Sequence, residues 1–241
     1  MNEGVAGNRA IPVVELGYRS AGAFLMAYVT QIANGEMFIE SSALPPLGTP
    51  VVLRLGAPPA ITMSLEGTVA WTREARGPGQ PAGMSVTLGM PSESFGATVD
   101  RLSAGFGGYR VLLGATETAP RAILGRYLRS IMTCTIVDLE SEAERATLDL
   151  GALDLAVLDL DSMGPRGYEL GEQLHQRPRP APVLGLAQLE RDRATAQRLG
   201  FDEMLANPPA LAELDAAVRR CLSRPVTIHH ATKYGTLKGY G

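Results

Sequence analysis

From Tyr109 to Ser223 the chain repeats one pattern five times: a short strand-like run, then a stretch of helical period. YRVLLGA (109–115) reads as a buried strand, and APRAILGRYLRSI (119–131) as a helix with Pro120 in its first turn. CTIVDL (134–139) precedes SEAERATLD, which opens on a Ser-x-x-Glu capping box, Ser141 to Glu144. DLAVLDL (154–160) is followed by the helix RGYELGEQLHQ, and APVLGLA (181–187) by LERDRATAQRLG, which Gly200 ends. DEMLAN and PALAELDAAVRRCLS complete the series. Five strand–helix units in this length predict a doubly wound parallel sheet, an α/β fold with helices on both faces.

The first hundred residues have another character. Short β-branched runs are separated by turn signals: PVVELGY (12–18), FLMAYVTQIA (24–33), VVLRL (51–55), ITMSLEGTVAWTRE (61–74) and GMSVTLGM (83–90). FLMAYVTQIA is read as a strand that turns at Asn34-Gly35, a strong hairpin pair, into NGEMFIE. The expectation is a small antiparallel barrel closed by one short helix, SESFGATVDRLSAGF, with Phe95, Val99, Leu102 and Phe106 on a single stripe. GFGGYR (105–110) marks the boundary. Residues 225–241 lack periodicity and are expected to form a flexible tail, with Tyr234, Leu237 and Tyr240 spaced between glycines and lysines.

Composition narrows the function classes. The net charge is −3, so no general attraction to nucleic acid or to an anionic membrane is expected. No apolar run approaches the ~20 residues of a membrane helix, and the first residues carry no secretory signal. Two cysteines, Cys134 and Cys221, suit a reducing cytoplasm, and with three histidines they offer no metal-ligand spacing. His229 and His230 are expected to be solvated. There is no G-x-S-x-G elbow, no G-x-x-x-x-G-K-S/T loop and no G-x-G-x-x-G after a strand, so no enzyme, catalytic residue or cofactor is expected.

The landmarks from 109 to 224 resemble the receiver domain of two-component signalling, a flavodoxin-like fold. DLAVLDLDSMGPRGYEL sits where receivers carry the phosphoacceptor, with Gly167 eight residues beyond Asp159. The resemblance makes Asp159 the phosphoacceptor equivalent. The other positions of that site are altered. Where receivers have an acidic pair that helps hold Mg²⁺, this chain has Ala115 and Thr116, with Glu117 next in the loop. Ala187 replaces the hydroxyl residue that bonds the phosphoryl group, Met204 the switch aromatic, and Asn207, before Pro208, the lysine. Each loss removes a charge-assisted contact worth roughly 1.5–3 kcal/mol. The resemblance is therefore to a pseudo-receiver in which Asp159 is inactive, either solvated or bonded to nearby amides, and Asp161 is open to reading as a turn residue.

Residues 8–104 resemble the PilZ family, in the variant common in deltaproteobacteria, on AYVTQIANGEMFIE, LPPLGTPVVLRL, GTVAWTRE and AGMSVTLG. That implies a six-stranded barrel and, in many members, cyclic di-GMP bound by an R-x-x-x-R segment and a D/N-x-S-x-x-G segment. Here Arg9 is followed four residues later by Val13, and the second motif reads Gln31, Ala33 and Glu36. An acidic side chain in place of glycine faces a dianion, which argues against binding. The two resemblances together imply a non-enzymatic bacterial signalling adaptor that binds partner proteins. Motility regulation follows by family analogy, and a homodimer through the receiver-like face is open. A cyclic di-GMP receptor with an altered site and a phosphorylation-dependent response regulator are the alternatives.

Overall fold

The computed structural model describes residues 11–58, 60–75, 81–138, 152–177 and 180–233. The chain divides into two compact units. One gathers the residues up to Ala21, Tyr28–Leu102 and the chain from Pro225 onward, and the other Gly22–Ala27 with Ser103–Arg224.

The second unit holds a five-stranded sheet built from β6 (Tyr109–Gly114), β7 (Cys134–Asp138), β8 (Leu155–Asp159), β9 (Val183–Leu186) and β10 (Glu203–Leu205). Its order is β10-β9-β8-β6-β7, and every pair is parallel. Counted within the unit this is the 2-1-3-4-5 order of flavodoxin-like folds. Successive side chains leave a strand on opposite faces, and both faces are covered. Val111, Leu113, Leu155 and Val157 pack with Leu124 and Leu128 of α3 (Thr118–Ile131) and with Leu214 and Val218 of the C-terminal helix Leu211–Ser223. Leu112, Ala156 and Leu158 pack on the other side with Leu170 and Leu174 of the helix Pro165–His175 and with Phe201. Each fully buried leucine or valine stabilises the layers by roughly 1.5–3 kcal/mol. The five strands and the helices over 118–131, 165–175, 190–198 and 211–223 lie where the repeat pattern predicts them. The capping box at Ser141 falls outside the described residues.

The rest of the chain differs from expectation in three elements and in the sheet they build, which is mixed rather than the antiparallel barrel expected. FLMAYVTQIA is not a strand: Ala21–Thr30 is a helix, α1, whose Gly22–Ala27 stretch is buried. A continuous apolar run without alternation does not distinguish a buried helix from a strand, and Ala, Leu and Met are strong helix formers. Asn34-Gly35 closes no hairpin. Gly35, at φ 74°, ends a single 3-10 turn over Ile32–Asn34, and its N–H donates to the Ile32 carbonyl. Thirdly, Thr227–Lys233, expected as tail, forms β11 antiparallel to β1 (Ile11–Gly17). Residues 234–241 are outside the described range.

The resulting six-stranded sheet is mixed, with order β11-β1-β3-β4-β5-β2. Here β2 is Glu36–Glu40, β3 Pro50–Ala57, β4 Ile61–Arg73 and β5 Gly83–Leu88. Because β1 runs parallel to β3, the chain needs a crossover between them, and α1 and β2 lie in it. Alternate residues Val51, Leu53, Leu55 and Ala57 face the core of this unit. The helix α2 (Glu93–Ala104) buries Phe95 and Val99 of the expected stripe, while Leu102 is half-buried and Phe106 lies beyond the helix in the second unit.

Candidate functional site

In a doubly wound sheet, ligand chemistry gathers at the carboxyl ends of the strands where the order reverses. In the second unit that point lies between β6 and β8, and β8 ends in Asp159. This aspartate is only 2% exposed. It caps the short helix α4 (Leu160–Met163), accepting from the Ser162 N–H at 3.3 Å. Asp is a preferred residue at a helix start because its carboxylate satisfies an amide the helix leaves open.

Asn207 reaches the same carboxylate from beyond β10. Its Nδ2 donates to Asp159 Oδ1 and to Asp161 Oδ2, both at 2.9 Å. One amide group has two hydrogens, and each is given to a different carboxylate. Asp161 also accepts from the Gln188 N–H, at 2.9 Å through Oδ2. Asp161 is thus no mere turn residue, since it ties the end of β9 to the end of β8. Asp159 is buried and bonded to amides rather than solvated.

The altered positions lie around this pair. Ala115 and Ala187 are buried at the ends of β6 and β9, with no polar side-chain atom to offer. Thr116 donates its hydroxyl to the Ser162 carbonyl at 2.8 Å, and its N–H to Ser162 Oγ at 3.2 Å. Glu117 occupies the N-cap position of α3 and lines the cleft above Asp159. Met204 lies on β10. A Cβ at Gly185 would come 2.5 Å from its sulfur, so this glycine makes the space that Met204 fills. Ser162 and Gln188 were not singled out from the sequence. Ser162 had a signal, since Asp159 three residues ahead of it has the spacing of a capped helix start. The Gln188 contact uses a backbone N–H and leaves no trace in residue type.

A divalent cation does not fit this arrangement. Ala115 and Thr116 offer no carboxylate to it, and Asp159 Oδ1 and Asp161 Oδ2 already accept from Asn207, Ser162 and Gln188. Among the described residues no cluster of three His, Cys, Asp or Glu side chains is suited to hold a metal ion.

The cleft over these strand ends has a volume of about 1080 Å³. Asp161, Glu117, Glu169 and Asp192 line it along with Asp159. Burial first, then the nearby charges of Asp192 and Asp161, push the Tyr168 hydroxyl above the ordinary tyrosine value.

The four described positions of the cyclic di-GMP motif lie in the first unit. Val13 is buried in β1. Gln31 Oε1 accepts from the Phe38 N–H at 3.1 Å, so its acceptor serves the middle of β2. Ala33 sits in the 3-10 turn, and exposed Glu36 accepts from Ser85 Oγ at 2.5 Å. Arg9 is outside the described residues. His229 and His230 are exposed on β11, and His230 Nε2 lies 2.7 Å from Ser41 Oγ. Among the described residues no helix is long and apolar enough to cross a membrane.

The strand order defines the second unit as a flavodoxin-like doubly wound fold, with Asp159 at its switch point. No family model matches the chain. Two curated relatives, the transcriptional regulatory protein TctD from Salmonella typhimurium strains SL1344 and LT2, are 36% identical over 86 residues. That covers 34% of this chain and 38% of theirs, so the chain spans well under half the length of the curated relatives it matches. Among solved structures, a putative response regulator from Chloroflexus aurantiacus is similar over 48% of this chain and 98% of its own, at 21% identity and a TM-score of 0.43. The receiver domain of a sensor histidine kinase from Pseudomonas aeruginosa is similar over 48% and 98%, at 20% identity and a TM-score of 0.41. A putative pilus assembly-related protein from Burkholderia pseudomallei is similar over 50% and 94%, at 17% identity and a TM-score of 0.43.

Proposed function

We propose that this chain is a non-enzymatic signalling regulator whose receiver unit is a pseudo-receiver, working through contacts with partner proteins rather than through phosphorylation. The observation that carries the reading is the Asn207 amide shared between Asp159 and Asp161. A neutral side chain stands where receivers place a lysine, and it donates to one oxygen of each carboxylate, Asp159 Oδ1 and Asp161 Oδ2. Phosphoryl transfer depends on neutralising crowded oxygens in the transition state. With Ala115, Thr116, Ala187 and Asn207 in place, the contacts that would do so are missing. The PilZ-like reading of the first unit belongs to the same proposal, with cyclic di-GMP not bound. Its support is the engagement of Gln31 with Phe38 and the acidic Glu36 at the glycine position.

The test is incubation of the full chain with Mg²⁺ and a small phosphodonor, followed by intact mass. No phosphate adduct is expected, and an adduct mapping to Asp159 would refute the pseudo-receiver. Calorimetry with cyclic di-GMP should give no binding heat at high micromolar ligand. One specific observation favours a second reading, a phosphorylation-dependent response regulator: the curated relatives are named as transcriptional regulators, and Asp159 keeps its place at the end of β8. The same mass measurement decides between the two.

A further inference from the structure

Asn34-Gly35 carries a strong turn signal yet closes no hairpin, and the pair has a chemistry of its own. Of the four asparagines, Asn2, Asn8, Asn34 and Asn207, only Asn34 is followed by glycine. An asparagine deamidates when the backbone nitrogen of the next residue attacks its side-chain carbonyl carbon, and a glycine there puts no side chain in the way. Asn207 precedes proline, whose nitrogen carries no hydrogen to lose in closing the same ring. Asn34 is exposed, and a Cβ built on Gly35 would meet nothing within 4 Å, so water reaches the junction.

The fold engages both reacting groups. The Gly35 N–H, which carries the attacking nitrogen, donates to the Ile32 carbonyl at 3.0 Å. The Asn34 amide donates through Nδ2 to the Thr30 carbonyl at 3.1 Å. Thr30 ends α1, and its carbonyl is one of the acceptors that a helix end leaves without an intrahelical donor. Both bonds must open before attack, so the single 3-10 turn sets the rate. Short turns at the ends of elements are where local opening costs least.

The product does not fit the same place. A carboxylate at position 34 accepts and does not donate, so it meets the Thr30 carbonyl acceptor to acceptor. It adds negative charge at the C-terminal end of α1, where the helix dipole is already negative and the last turn holds no basic residue. Isoaspartate goes further, because the main chain then runs through the side-chain carbon and gains an atom just before β2. The bonds that follow depend on that spacing. The Gly35 carbonyl accepts from the Leu88 N–H at 2.8 Å, the Phe38 N–H donates to Gln31, and Phe38 stacks on Trp71 with ring centroids 5.4 Å apart.

We propose that Asn34-Gly35 is a spontaneous deamidation site, gated by the 3-10 turn, whose product loosens the junction of α1 and β2. In the first step the Gly35 nitrogen bonds to Asn34 Cγ and loses its proton, and the side-chain nitrogen leaves as ammonia, giving a succinimide. In the second, water adds to one carbonyl of the ring and breaks its C–N bond. Opening at the side-chain carbonyl leaves aspartate, and opening at the main-chain carbonyl leaves isoaspartate. Water is the only co-reactant.

The full chain is held at mildly alkaline pH and physiological temperature, beside a free peptide of residues 28–38. Digestion and tandem mass spectrometry follow the replacement of the Asn34 amide nitrogen by oxygen, and protein isoaspartyl methyltransferase detects isoaspartate. Asn34 should be the first asparagine converted. Its rate in the native chain should be at least roughly tenfold below that in the peptide, from the two hydrogen bonds that must open, and should return to the peptide rate in denaturing urea. Asn34→Gln, which keeps the amide but moves it one carbon outward, should stay unconverted. Trp71 is the only tryptophan and reports on its neighbour Phe38 in β2. The converted chain, separated by ion exchange, should show a shifted Trp71 emission and a lower unfolding midpoint, and Asn34→Asp should reproduce the lower midpoint. Earlier conversion of another asparagine, no conversion at Asn34, or a native rate equal to that of the peptide would overturn the gated site. A converted chain with unchanged emission and midpoint would overturn the loosening. These readouts come from the natural chain and do not depend on a variant folding.

Discussion

Replacing Asn207 by leucine, close to it in size, removes both hydrogen bonds from its Nδ2 while largely keeping its volume. The bond to Asp159 is charge-assisted and its acceptor is 2% exposed. Losing it leaves a buried carboxylate with only the longer Ser162 contact, at a cost of about 1.5–3 kcal/mol. Asp161 is exposed, so water replaces its lost donor and the second bond adds about 0–1 kcal/mol. The sum is a destabilisation of the second unit of about 1.5–4 kcal/mol. Adding Asp159→Leu removes the stranded charge, and exchanging both buried partners for apolar groups is close to neutral. The double variant should therefore recover at least half of the loss, about 0.8–2 kcal/mol. Urea unfolding followed by far-ultraviolet circular dichroism reads the total. Hydrogen exchange of the β8 and β9 amides assigns the change to the second unit, and Trp71 fluorescence, in the first unit, should not shift. A cost below about 0.5 kcal/mol for the single variant, or no recovery in the double, would show that the bridge is not what holds Asp159 in place.

Three further outcomes follow from the packing. A Cβ on Gly171 would lie 2.2 Å from the Phe201 ring, so Gly171→Ala should cost about 1–3 kcal/mol in the same unfolding assay. Deleting residues 226–241 removes β11 and bares the β1 edge. The Trp71 unfolding midpoint should fall by the equivalent of about 2 kcal/mol or more, from several backbone bonds at roughly 0.5–1.5 kcal/mol each. An unchanged midpoint would mean the strand contributes nothing to that unit. Burial pushes the Cys221 and Cys134 thiols above their ordinary values. A raised folded-state value contributes stability that is whole below the unfolded thiol pKa, near ~8.5, and lost as pH rises through the folded value. The melting temperature should therefore fall from pH 8 to pH 10, less so in Cys221→Ala, and iodoacetamide should label native protein at pH 8 slowly at Cys134 and more slowly at Cys221.

The second unit was the more legible half. Its strands and helices announce themselves because hydrophobic period, caps and turn residues act within a few positions of one another. The aspartate at the end of β8 and the altered residues around it could be read from their places in that order. The first hundred residues were read less well. The run from Phe24 had no alternation to separate helix from strand, and Asn34-Gly35 carried a turn signal that a 3-10 end satisfies as readily as a hairpin.

Sequence by itself determined the five-fold strand–helix repeat, the placing of Phe95 and Val99 on one stripe, and the absence of lysine from the second unit. Only the tertiary structure decided that α1 is helical, that Thr227–Lys233 completes a sheet begun at Ile11, and that one amide joins Asp159 to Asp161. The physical reason is range. Backbone preference and period are local quantities, whereas a strand's partner or a carboxylate's donor is chosen among residues far along the chain: Asn207 is separated from Asp159 by 48 positions, and what brings them together is the burial of the sheet between them.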